Sequence, residues 1–153
     1  MKGRRLLLGL ALTALVALAL AGAASAAKLD GADRGGRPLS TTLTGAAEVP
    51  GPGDPNGSGT ATITVNPGRG EICYELGVEG ITLPATGAHI HVGPVGESGD
   101  VVVPLMTPGD NGTSSGCAEV SRELALAIIQ NPENYYVNVH NDDFPAGAIR
   151  GQL

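Results

Sequence analysis

The most constraining stretch of this chain is residues 59–79, where apolar and polar side chains alternate on either side of a short turn. Ala61, Ile63 and Val65 alternate with Thr60, Thr62 and Thr64. After Pro67-Gly68-Arg69-Gly70, Ile72, Tyr74, Leu76 and Val78 alternate with Cys73, Glu75 and Glu79. A period of two sends the sets to opposite faces of an extended strand. The pair of segments therefore predicts a hairpin with one buried and one solvated face, the habit of antiparallel sheets.

The rest of the chain supplies more pieces of the same kind. A Thr-rich first strand is expected over residues 39–49, then a loop over 50–58 holding three prolines and three glycines. Asp54, Asn56 and Ser58 in that loop echo the start of a calcium-binding EF-hand loop. Val65 stands where the bidentate carboxylate belongs and a strand follows, so the segment is read as a Gly/Pro turn. Residues 80–87 loop into a strand at 88–93, and 93–99 loop out of it. Residues 100–106 form a short apolar strand, 108–116 a loop and 117–120 a brief extended piece. Only residues 121–130 look helical: Ser121 can cap, Glu123 suits the positive end, and Leu124, Ala127 and Ile128 form a stripe that Asn131-Pro132 stops. A strand at 135–140, a turn at 142–145 and a last strand at 147–153 complete the inventory. Seven or eight short strands with one short helix predict an all-β sandwich or barrel of antiparallel strands.

The N-terminus reads as an export signal. Lys2, Arg4 and Arg5 precede an almost uninterrupted apolar run at residues 6–20, and Ala24-Ser25-Ala26 offers a small-residue cleavage site between Ala26 and Ala27. The apolar run is shorter than the roughly 20 residues of a membrane span, so no span is expected once the signal, residues 1–26, is removed. Residues 27–37, with several glycines and no periodicity, read as a flexible tether to a domain over 38–153. Cleavage would leave six basic against fifteen acidic residues, a formal charge of −9. Nucleic acid and anionic membranes are disfavoured as partners by that balance, whereas cations are not. A secreted, periplasmic or cell-surface location also suits the two cysteines, Cys73 and Cys117, which are expected to form a disulfide worth about 4 kcal/mol. With one Phe, three Tyr and no Trp the core is thin, and such a bridge matters.

All three histidines fall on two of the expected strands. His89 and His91 alternate with Ala88, Ile90 and Val92. His140 ends a run in which Tyr135, Val137 and Val139 are the natural inward set, leaving Tyr136, Asn138 and His140 outward. The imidazoles thus share the non-core side and converge if the strands are neighbours. Imidazole suits copper and zinc, and three protein ligands leave one coordination position open. Asn138, Asn141, Asp142 and Asp143 are close enough in sequence to His140 to orient the rings. The competing readings are polar residues on a solvated face, and imidazoles that hydrogen-bond loop carbonyls to close one end of a barrel. No Gly-x-Ser-x-Gly elbow or phosphate-cradling loop supports a hydrolase or nucleotide site. Glu75 and Glu79 read as solvating carboxylates, and the sequons at Asn56 and Asn111 as turns.

Five segments in order carry a family resemblance: Leu43-Thr44-Gly45-Ala46-Ala47-Glu48-Val49-Pro50; Cys73-Tyr74-Glu75-Leu76 with Val78 and Gly80-Ile81; Ala88-His89-Ile90-His91-Val92-Gly93-Pro94; Tyr136-Val137-Asn138-Val139-His140-Asn141; and Gly147-Ala148-Ile149-Arg150-Gly151-Gln152-Leu153. Together they resemble the CHRD family, named for its repeats in the animal protein chordin and found alone in exported bacterial proteins. The resemblance implies a compact all-β domain without a defined activity. Chordin's binding of growth factors does not transfer, because the cysteine-rich modules that accompany the domain there are missing. Ala148 departs from the family, which usually has Glu before Ile-Arg-Gly. Residues 80–93 and 137–140 are also similar to the copper-ligand strands of copper-zinc superoxide dismutases, whose fold is an eight-stranded Greek-key barrel. The bridging and zinc-site histidines have no counterpart here.

The expectation is therefore a Greek-key-like domain acting outside the cytoplasm as a non-catalytic binding or structural module. Its partner would be an unidentified protein or small ligand, and copper or zinc would sit at His89, His91 and His140. The alternative is a small redox copper enzyme with a dismutase-like open site, in which Arg150 would be the candidate to guide an anion, although on sequence alone Arg150 reads first as a strand-end salt-bridge residue.

Overall fold

The structure, a computed structural model, describes residues 35–153. The export signal, its cleavage point at Ala26 and Ala27, and residues 27–34 of the tether lie outside the described residues. Eight strands form one sheet: β1 (Arg37–Thr44), β2 (Ser58–Asn66), β3 (Glu71–Glu79), β4 (Gly87–Val92), β5 (Val101–Pro104), β6 (Thr113–Glu119), β7 (Tyr135–His140) and β8 (Ile149–Gln152). One α-helix, α1 (Arg122–Gln130), stands between β6 and β7. The spatial order is β5-β4-β7-β8-β1-β2-β3-β6, and each neighbouring pair is antiparallel. The sheet curls into a nearly closed barrel with β5 and β6 at its two ends. Across that gap the Met106 N–H donates to the Tyr74 hydroxyl at 2.7 Å and the Ser114 hydroxyl to the Met106 carbonyl at 2.8 Å.

The alternating segments form the expected hairpin, with Ile63 opposite Tyr74 and Asn66 opposite Glu71. Their apolar members are buried and point inward, where they join Leu43, Ile90, Val103, Val137, Val139 and Ile149 in one core. Cys73 faces Cys117 across β3 and β6, and the two form a disulfide spanning a sequence separation of 44. Helix α1 begins as expected, the Ser121 hydroxyl accepting from the Leu124 N–H at 3.1 Å. Its fully buried residues are Ala125 and Ile128, with Leu124 and Ala127 partly buried beside them.

Several boundaries differ from expectation. β1 starts at Arg37, which pairs with Val65, and stops at Thr44 because Gly45–Ala47 turns into a 3-10 helix. β6 starts at Thr113, earlier than expected, since an edge strand with polar residues on both faces leaves no apolar alternation to read.

One larger difference concerns the outer face of β4, β7 and β8. Tyr136 and Asn138 do point away from the core, yet each is only 3% exposed. Neighbouring segments cover them: Arg150 on β8 is bonded to the carbonyls of Pro94 and Glu97, and the Asp54 N–H donates to the Ala148 carbonyl at 2.8 Å. The non-core side of these strands is a second, polar interior.

Candidate metal centre

Strand register brings the histidines together. Gly87 on β4 lies opposite His140 on β7, His89 opposite Asn138, and His91 opposite Tyr136; Asn138 and Tyr136 in turn lie opposite Arg150 and Gln152 on β8. Side chains two apart on a strand share a face, so His89, His91 and His140 project from adjacent rows of one surface. Gly87 makes their approach workable. A Cβ there would sit 3.1 Å from His140 Cδ2 and 3.1 Å from His89 Cε1, so any side chain would displace both rings.

One ring nitrogen from each histidine lies within 4.8 Å of one from each of the others. His89 Nδ1 and His140 Nε2 are 3.3 Å apart. Two nitrogens each about 2.05 Å from one tetrahedral ion would be roughly 3.3 Å apart, so this pair already has the span of two ligands on a shared ion.

Hydrogen bonding decides which nitrogens carry lone pairs. His91 Nδ1 is 2.8 Å from the Gly99 carbonyl and His140 Nδ1 is 3.1 Å from the Pro145 carbonyl. A carbonyl only accepts, so both Nδ1 atoms hold protons, and in the neutral rings both Nε2 atoms are free to donate electron pairs. His91 Nε2 is buried without a hydrogen-bond partner. An orphaned imidazole nitrogen on a ring clustered with two other imidazoles is what a ligand set requires, and it costs stability if nothing joins it.

Electrostatics favours the neutral form of His89 and His140. Burial pushes the His89 imidazole below its ordinary range, and the neighbouring His140 and His91 add repulsion. Burial also pushes His140 down, opposed by its bond to Pro145 and assisted by His91. An uncharged imidazole is the form that binds a metal.

The residues expected to orient the histidines are differently employed. Asn141 is fully buried and its Oδ1 accepts from the Phe144 N–H at 2.8 Å, shaping the turn that presents the Pro145 carbonyl to His140. Asp143 accepts from the Thr82 hydroxyl, Asp142 is exposed, and the Asn138 Oδ1 is buried without a partner. Among the described residues, the oxygens that orient the rings are the backbone carbonyls of Gly99 and Pro145. A carbonyl is present at every position, so side-chain identity could not single these two out. Gly87 was equally silent, since a glycine at a strand start reads as the end of a loop.

Arg150 is 2% exposed and is not aimed at the histidine nitrogens. Its Nη1 donates to the Glu97 carbonyl at 2.8 Å, its Nη2 to the Pro94 carbonyl at 3.0 Å, and its Cζ lies 3.4 Å from the centroid of the Tyr136 ring. Glu48 is buried nearby against Gly147 and Gly53, with Oε1 unpartnered. Burial pushes its carboxyl up to about 7, with the Arg150 charge and the Val49 N–H holding it back.

A nearly closed, eight-stranded antiparallel barrel with a covered polar face and three convergent histidines describes a small β domain with a histidine cluster on the outside of its sheet. Residues 39–153 match the family model for the CHRD domain, and the chain belongs to that family. A search of curated proteins and one of solved structures each returned no match.

Proposed function

We propose that this CHRD domain is a metal-binding module, holding copper or zinc through His89 Nδ1, His91 Nε2 and His140 Nε2. The observation that carries the reading is the buried, unpartnered Nε2 of His91, on a ring clustered with two imidazoles whose nitrogens span 3.3 Å. Imidazole donors suit both ions, and the general order of affinities puts copper(II) ahead of zinc. His89 and His140 are only partly buried, so a fourth position on the ion would be open to water or a small ligand. The module operates outside the cytoplasm, where the Cys73–Cys117 disulfide persists.

Binding rather than redox turnover is favoured by Arg150. A guanidinium committed to two carbonyls and a tyrosine ring is not at hand to draw an anion to the ion. The test is calorimetry on oxidised, metal-stripped protein titrated with Cu(II) and Zn(II), beside His91→Ala. One-to-one binding that collapses in the variant supports the reading. If nothing binds, or His→Ala changes at all three positions leave binding untouched, the His89–His140 contact is simply a hydrogen bond that helps close the barrel.

A further inference from the structure

Resting on that metal reading, we infer that Arg150 and Tyr136 are positioning residues for His91: they hold residues 93–99 so that the Gly99 carbonyl fixes the ring's plane and tautomer. The contacts form a continuous series. His91 stacks on Tyr136 with ring centroids 4.8 Å apart and planes 8° from parallel. Arg150 lies over the same Tyr136 ring. The Tyr136 hydroxyl accepts from the Gly99 N–H at 3.2 Å, while the carbonyl of Gly99 accepts from His91 Nδ1 at 2.8 Å. Both polar groups of one residue are thus spent on the ligand and on the ring stacked against it.

The segment carrying Gly99 is held from β8. Arg150 binds its Pro94 and Glu97 carbonyls, and the Gln152 amide donates to Gly93 at 2.9 Å. Gly99 also fits only as glycine, because a Cβ would collide with the Val92 carbonyl. A planar guanidinium reaches two carbonyls at fixed separation while stacking on an aromatic face, which a lysine ammonium does not reproduce. Burying a cation whose hydrogen bonds all go to neutral oxygens is costly compared with an apolar plug. The arrangement is intelligible if it serves placement: one side chain sets the loop and, through Tyr136, the ring that presents the orphaned nitrogen.

Arg150→Gln, Arg150→Lys and Tyr136→Phe test this, with folding checked by circular dichroism. In the metal-free unaltered protein, nitrogen-proton correlation NMR should show His91 as the Nδ1–H tautomer with a slowly exchanging proton. Arg150→Gln should lose that protection, weaken Cu(II) affinity roughly 10- to 100-fold, and alter the Cu(II) paramagnetic resonance spectrum. Lysine should restore little. Tyr136→Phe removes only a hydroxyl, so it should fold even if the Arg150 variants do not, and it should weaken binding several-fold with faster exchange at Nδ1. Unaltered protein that binds copper, beside folded variants with the same affinity, spectrum and Nδ1 protection, would overturn the positioning role alone. Unaltered protein that binds no copper would overturn the metal reading and the role with it.

Discussion

Glu48→Gln should change how stability responds to pH, and the size of the change follows from where the carboxyl sits. Glu48 is 5% exposed, one of its oxygens has no partner, and burial raises its pKa from 4.5 to about 7. A carboxyl whose pKa is higher folded than unfolded contributes stability fully below the unfolded value. That contribution is lost as pH rises, and the loss is complete above about 7. Unscreened, the displacement is worth about 3 kcal/mol; allowing for solvent and local relaxation, about 2 kcal/mol is expected. His89 and His140 act in the opposite sense, since imidazoles held neutral in the fold cost stability as pH falls below their ordinary value. Both proteins share that effect, so it cancels in the difference between them. Urea unfolding of oxidised, metal-free protein from pH 4 to 8 should therefore show Glu48→Gln gaining about 2 kcal/mol on the unaltered protein between pH 4.5 and 7. A difference that stays constant within about 0.5 kcal/mol across this range would refute the reasoning, placing the carboxylate in contact with water or fully paired with Arg150.

The Cys73–Cys117 bridge, with its separation of 44, should contribute about 4 kcal/mol; Cys73→Ser with Cys117→Ser should lower Tm by roughly 15 °C in a thermal melt. Gly87→Val should leave the domain folded yet impair binding. Gly87 has no left-handed φ to protect and valine suits a strand, but the site is buried against two rings, so unfolding free energy should fall by about 1–3 kcal/mol. The displaced His89 and His140 rings should also lose Cu(II) affinity by roughly tenfold or more, read by competition titration.

What could be read ahead of the structure depended on whether the information was local. Alternation identifies the β2–β3 hairpin and the two histidine strands, because side-chain direction on a strand is fixed by parity alone. Parity likewise placed all three imidazoles on the non-core side, where they are found. Parity says nothing of what lies over that side, so it places Tyr136 and Asn138 outward without revealing that both are buried there. Arg150 shows the same limit: near the end of the last strand it reads as a strand-end salt-bridge residue or a guide for anions. Its actual partners, Pro94 and Glu97, lie more than 50 residues earlier. Carbonyl oxygens carry no residue signature, and the groups that orient His91 and His140 are carbonyls.

The covered polar face also bears on what the domain binds. A formal charge of −9 after the expected cleavage, with Arg150 buried and occupied, makes the surroundings of the histidines attractive to cations and repellent to small anions. Asp142 and Asp143, two and three residues after His140, reinforce that sign. An anion-processing copper enzyme gains its rate from the reverse arrangement, with free positive charge leading to the ion. The same outer face could therefore capture a metal ion efficiently and yet be poor at drawing an anion to it. Cu(II) association should slow markedly as salt is raised from 10 to about 150 mM, over which the screening length falls from roughly 30 to 8 Å. Stopped-flow mixing reads this directly, and an association rate indifferent to salt would remove the electrostatic argument for a module that collects cations.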